Sequence, residues 1–225
     1  MVTLGWGITV HTPNLPYVRM AQDSWKAIAY RRLTRTLDAA QEVVCDYSSR
    51  LVFFSDCHRG DNTRADAFAA NKRLFLQALR YYYANGFAYV EVGDGDELWK
   101  NRRFSDVRRA HASVFDLFHQ FDRQNRLYLL LGNHDISSWR LRHHMRKDGL
   151  DVHEALVFKY AETGQRIFVV HGHQADLKSD HLQPVSRFMV RNVWRRVQNL
   201  GFGSVATPCQ GSPVQSRVIQ RLMEW

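Results

Sequence analysis

Residues Leu127-Tyr128-Leu129-Leu130-Leu131-Gly132-Asn133-His134-Asp135 decide how the rest of the chain is read. Five apolar residues make a run of strand length, too short for a helix, and it breaks off in a polar Gly-Asn-His-Asp. In open α/β sheets, loops beyond the carboxyl ends of the strands converge on a ligand crevice. The same layout recurs on both sides. Residues 51–55 read as a short buried strand by the apolar run Leu51-Val52-Phe53-Phe54 and lead into Asp56-Cys57-His58-Arg59-Gly60-Asp61. Residues 87–92 run into Gly93-Asp94-Gly95-Asp96-Glu97, and residues 166–170 into His171-Gly172-His173.

The stretches between these strands have helical spacing. Residues 65–84 place Phe68, Phe75, Leu79 and Tyr82 on one side and stop at Asn85-Gly86, where glycine accepts the left-handed conformation of a helix end. A second helix starts at Ser105 or Asp106, with Val107, Val114, Phe118 and Phe121 on its stripe. Residues 156–158 and 166–170 flank Glu162-Thr163-Gly164-Gln165 and read as a hairpin. Strands alternating with helices predict a largely parallel sheet. Upstream, residues 1–23 read as a loose arm. Ser24 then caps a helix reaching about Val44, which buries Ile28 and Leu37 and turns Arg31, Arg32 and Arg35 to water. The expected organisation is an N-terminal arm and helix over 1–50 and one α/β domain over 51–225.

The totals agree with a globular enzyme-sized domain. The chain has 225 residues, 45% hydrophobic and 24% charged, which excludes disorder, collagen and coiled coil as the main architecture. Thirty-one Lys and Arg against twenty-two Asp and Glu leave a net charge of +9. That balance favours anionic partners such as phosphates, nucleic acid or an anionic membrane surface. Three widely spaced cysteines, Cys45, Cys57 and Cys209, make neither a disulfide framework nor a Cys-rich zinc site, and point to a reducing, cytoplasmic compartment. No apolar run reaches membrane-spanning length, and the N-terminus does not read as a signal peptide.

Four strand ends thus carry Asp56 and His58, Asp94 and Glu97, Asn133 and His134, and His171. All are oxygen or imidazole donors, a set that suits Mn, Fe, Zn or a mixed pair better than a structural zinc. Any one of these motifs alone is more often a turn or a surface histidine. Their occurrence in order, each directly after an apolar strand, is the specific signal.

With Asp56-x-His58, Gly93-Asp94-x-x-Glu97, Gly132-Asn133-His134-Asp135 and His171-Gly172, the chain resembles the calcineurin-like metallophosphoesterase superfamily over about residues 51–176. The resemblance implies a four-layer α/β sandwich of mixed β-sheets flanked by helices, with two divalent metal ions, manganese first and iron or zinc as alternatives. It implies that Asp56 and His58 bind one metal, that Asp94 bridges both, and that Asn133 and His171 bind the second. His134 would face the scissile phosphate as the acid, with Glu97 as its carboxylate partner. Two cations about 3.5–4 Å apart can share a carboxylate and a water, and an imidazolium held by a carboxylate can protonate a leaving alkoxide. Asp135 is as well explained by an Asx-type hydrogen bond within its loop.

Within the superfamily, Gly-Asp-x-x-Glu-Leu-Trp and His-Gly-x-x-x-Asp look most like the UDP-2,3-diacylglucosamine diphosphatase branch, whose members cleave a pyrophosphate in lipid A synthesis. That likeness implies a phosphorylated or lipid-linked nucleotide substrate and peripheral contact with a membrane. A nuclease-like phosphodiesterase is the alternative that the charge favours. A scaffold with an impaired metal site is another. The superfamily's last Gly-His-x-His motif is not found before Trp225, so the chain is expected to stop ahead of that strand. Otherwise, His171-Gly172-His173 is itself the last motif and an earlier one is missing.

A basic helix completes the reading. Arg187, Arg191 and Arg195 stand at i, i+4 and i+8 on one face. They read as a solvated face, a wall gripping substrate phosphate, or a surface lying on anionic lipid. Arg59 is a further phosphate-clamp candidate. Arg140, Arg142, His143, His144, Arg146 and Lys147 read as a basic loop.

Overall fold

Alternation along the central strand sets the layers. In β5 (Ala88–Val92), Tyr89 points to one side and Val90 to the other, and both are fully buried. Period-two side chains can be buried on both faces only if something covers each face. Tyr89 joins a core with Phe75, Val114, Phe118 and Phe121 from helices, whereas Val90 meets Leu130, Leu156 and Phe158 from strands. The computed structural model describes residues 16–101, 103–134, 145, 148–175, 192 and 195–199, with 3–4 and 8–9, and of these describes side chains from residue 26 onward except at 197 and 198.

Two short strands, β1 (Thr3–Leu4) and β2 (Ile8–Thr9), pair antiparallel. The first main sheet has the order β4 (Leu51–Phe54), β5, β6 (Leu127–Leu130), β7 (Val152–His153), and every pair in it is parallel. The second has the order β3 (Gln41–Cys45), β8 (Ala155–Tyr160), β9 (Arg166–Val170). There β3 lies parallel to β8, and β8–β9 is the expected antiparallel hairpin. The sheets face each other through Val90, Leu130, Leu156 and Phe158, with the Phe158 ring edge-on to Phe53 and Tyr128. Helices α2 (Lys72–Ala84), α3 (Phe104–Ala110) and α4 (Ala112–Asp122) cover the first sheet. Helix α1 (Pro16–Asp38) lies against β8 and a 3₁₀ turn, His173–Ala175, on the side of the second sheet. The result is the four-layer α/β sandwich with parallel and mixed sheets.

Three elements differ from expectation. The first helix starts at Pro16, where a missing N–H costs nothing, and ends at Asp38. Val43 and Val44 instead belong to β3, because a β-branched pair gains more from laddering on β8 than from extending a helix. The second sheet therefore recruits residues upstream of position 51. Helix α2 begins at Lys72 and not near 65. Asp66 diverts the chain: its carboxylate accepts the amides of Asn62, Phe68 and Ala69, and such local capture competes with helix. The same carboxylate meets Nε2 of the buried His111 at 2.8 Å, at the joint between α3 and α4. Among the described residues, no helix is long and apolar enough to cross a membrane.

Candidate metal centre

The β4 and β5 loops are zipped together past the ends of their strands. Backbone hydrogen bonds run from Asp56 N to Gly93 O (3.2 Å), His58 N to Asp94 O (2.9 Å), Arg59 N to Gly95 O (2.9 Å) and Glu97 N to Arg59 O (2.9 Å). This tight pairing forces left-handed backbone at three residues that are not glycine: Asp56 (φ 55°), His58 (φ 48°) and Asp94 (φ 50°). Each such residue costs about 1–3 kcal/mol and persists only where its surroundings hold it. All three are predicted metal ligands.

Their side chains converge. His58, Asp94 and His134 form one donor group and Asp56, Asp94 and His171 another, with the donor atoms of each within 4.8 Å of one another. His171 Nε2 is 3.6 Å from Asp94 Oδ2 and 3.7 Å from Asp56 Oδ1. Asp94 is 2% exposed and accepts the His134 amide on Oδ1 at 2.7 Å. Two glycines make room. A Cβ on Gly93 would stand 2.5 Å from His171 Cδ2, and one on Gly132 would collide with the Asp94 carboxylate and its backbone nitrogen.

This set fits divalent cations. Metal–donor bonds of about 2.0–2.3 Å span donor separations of this size. Nε2 of His58 and of His171 face these carboxylates, at 3.8 Å from Asp56 Oδ1 for His58 and 3.6–3.7 Å from Asp94 and Asp56 for His171, imidazole and carboxylate donors of the kind that hold such ions. Carboxylates crowd the first imidazole: burial opposes a charge on His58, but Glu97, Asp94 and Asp56 together raise its proton affinity. The same carboxylates that favour a proton on this imidazole favour a metal cation beside it. Burial, with Glu91 nearby, pushes the Cys57 thiol up to about 12, so no thiolate enters the set.

His134, a member of the first group, has its ring fixed on two sides. Nδ1 is 3.1 Å from Glu97 Oε1, and the imidazole stacks on the Trp99 indole at 4.0 Å. Burial opposes ionisation of Glu97, yet the hydrogen bond from His134 and the nearby His134 and His58 rings hold its carboxyl well below the ordinary carboxylate range. Trp99 in turn donates from Nε1 to the Asn133 carbonyl at 2.8 Å, which ties this loop to the loop after β5. Asn133 is half-buried in the same turn.

The second-sphere residues were less visible in the sequence. Arg59 is not a substrate clamp: it is completely buried, with Nη1 and Nη2 on Glu91 at 2.6 and 2.7 Å and Nε on Asp96 at 2.7 Å. Its guanidinium lies over the Phe115 and Phe118 rings, and Tyr89 donates to the same Glu91 carboxylate. With the cation fully buried on two carboxylates, the expected role is replaced by a structural one beneath the metal loops. Arg187 and Arg191, Asp135 and the basic residues of 140–147 lie outside the described residues. Arg195 is described, and its guanidinium pairs with Asp61 at 2.5 Å and donates to the Lys100 carbonyl. Trp99 could have been found from the Glu97-Leu98-Trp99 run. Glu91 and Asp96 carry no signal beyond being acidic residues in an apolar neighbourhood.

A family model described as calcineurin-like phosphoesterase matches residues 49–202, more than half of the chain. No curated protein and no solved structure matches it.

Proposed function

Because the chain belongs to the calcineurin-like phosphoesterase family, we propose that it hydrolyses a phosphoester or pyrophosphate bond with two divalent cations, manganese being the first choice. The observation that carries this reading is the buried Asp94 carboxylate, the one member common to both donor groups. A carboxylate shared in this way is what a dinuclear site needs to hold its cations a few ångströms apart. Asp56 and His58 would hold one cation, Asn133 and His171 the other, and Asp94 both. The cations, when bound, would activate a water and draw off charge from the phosphoryl oxygens.

The chain's own residues supply the remaining steps. The ionised Glu97 holds His134 by Nδ1, which leaves Nε2 to carry a proton to the leaving oxygen. Trp99 fixes the plane of that ring. His134 is near enough to His58 and Asp94 to act as a ligand, but its pairing with Glu97 favours the acid role. The substrate reading is a nucleotide-linked lipid sugar cleaved at its pyrophosphate, as in the UDP-2,3-diacylglucosamine diphosphatase branch. Such a substrate would bring a cytoplasmic enzyme to the membrane surface.

The test adds manganese to the chain and follows bis-p-nitrophenyl phosphate, p-nitrophenyl phosphate, a UDP-linked lipid sugar and single-stranded DNA. Turnover of a phosphoester, with bound metal by elemental analysis, is expected. Asp94→Asn should abolish both. Metal-free protein without turnover would leave a scaffold as the better account. Preference for DNA with a steep salt dependence would favour the nuclease reading.

A further inference from the structure

The face of α1 expected to meet only water forms one wall of a cleft. Arg31, Arg32, Arg35 and Thr36 line one side, and His173 and Gln174 of the 3₁₀ turn line the other, around about 530 Å³. Arg31 and Arg35 are one helical turn apart and exposed, so their guanidinium groups project along the same face. Guanidinium groups gathered around a concavity focus field where a single surface arginine would be screened. A plain solvated arginine face has no opposite wall. Here the opposite wall contains Gln174, which is 8% exposed, with both amide atoms buried and lacking a hydrogen-bond partner. The cleft also adjoins the metal centre: the His173 ring is 5.6 Å from the ring of His171.

We propose that this cleft binds a second phosphoryl group of the substrate, one that is not attacked, and so selects diphosphate or doubly phosphorylated small molecules over simple esters. The chemistry matches each wall. Guanidinium forks pair with phosphate oxygens in two-pronged fashion, and the 3₁₀ turn that carries His173 and Gln174 closes the far side. The volume admits a phosphorylated sugar or a nucleotide end, not just a free anion. The assignment rests on the phosphoesterase reading for its direction, since it places the scissile group at Asp94 and the retained one at α1.

The decisive measurement is calorimetry with inorganic pyrophosphate on the full chain with all divalent metal chelated, so that the metal centre contributes nothing. The wild type should bind. Arg31→Ala/Arg35→Ala should weaken binding about tenfold or more, the effect of losing even one charge-assisted hydrogen bond. Arg80→Ala/Arg123→Ala removes the same charge from exposed positions on and after other helices and should keep the wild-type affinity. No binding by the wild type, or equal weakening in both double variants, overturns the cleft. Loss of sedimentation with phosphatidylglycerol vesicles, at unchanged pyrophosphate affinity, also overturns it and assigns these arginines to a membrane. If the binding pattern holds while the manganese-loaded wild type hydrolyses no phosphoester, the cleft survives as an anion site and the phosphoesterase reading falls.

Discussion

At the scale of single residues, the division of labour around Asp94 is set by which atoms already have partners. Asp94 Oδ1 takes the His134 amide, so Oδ2 is the oxygen facing His171. His134 spends Nδ1 on Glu97, and its ring is clamped by Trp99. His58, 3.5 Å from Glu97, has no hydrogen bond on Nδ1. The His134 ring is thus the more firmly fixed of the two, as its proposed acid role requires. His134→Asn keeps a polar side chain of lesser reach and removes the transferable proton. It should lower kcat about 10²–10⁴-fold, the usual worth of a positioned acid, while bound metal by elemental analysis stays near the wild-type stoichiometry. Loss of metal in that variant would make His134 a ligand.

Elements show why part of this was readable in advance and part was not. Strand ends were legible because an apolar run that stops at Gly-Asp or Gly-Asn-His carries both its structure and its chemistry in adjacent residues. The 65–71 segment was not, because Asp66 redirects the chain through hydrogen bonds to Asn62, Phe68 and Ala69 and across to His111, 45 residues away. The role of Arg59 was also hidden. A loop arginine after a metal motif looks like a phosphate clamp, and only the fold shows that Glu91 of β5 reaches it first. Arg59→Met would leave Glu91 and Asp96 as buried charges without a cation and should cost about 3–5 kcal/mol in urea unfolding. Adding Glu91→Gln and Asp96→Asn to that variant should recover part of the loss. No recovery would mean that Arg59 acts by packing on Phe115 and Phe118 alone. The Asp66–His111 joint makes a pH prediction. Burial disfavours the Asp66 charge, but hydrogen bonds from His111 and the Asn62 amide overcome this and hold its carboxyl below the ordinary value. The folded state therefore releases this proton more readily than the unfolded chain. Its stabilisation is complete above the unfolded value of about 3.9 and disappears as pH falls through the lower folded value. Melting temperature should drop as pH falls below about 4. Asp66→Asn, already less stable at neutral pH, should lose less over the same interval.

For the whole molecule, the centre lies where the two sheets meet. Asp56 and Asp94 follow β4 and β5 of the first sheet, and His171 follows β9 of the second. The 3.6 Å approach of His171 to Asp94 therefore joins one layer to the other, across the gap that Gly93 leaves open. Three carboxylates, Asp56, Asp94 and Glu97, gather there in a protein whose net charge is +9. The local charge of the pocket is thus opposite to that of the chain as a whole, which suits it to cations. Without cations, the pocket holds mutually repelling charges on strained left-handed backbone. A cation that binds only this arrangement stabilises the fold by mass action, by about 2.7 kcal/mol at a hundredfold excess over its dissociation constant. For a chain of this length, that corresponds to roughly 5–10 °C in melting temperature. Manganese should therefore raise the melting temperature by that amount over a chelated sample, and chelator added afterwards should reverse the rise. Asp94→Asn should abolish the shift, because it removes the one carboxylate on which both donor groups depend. A shift that persists in Asp94→Asn would place the stabilising cation somewhere other than between the sheets.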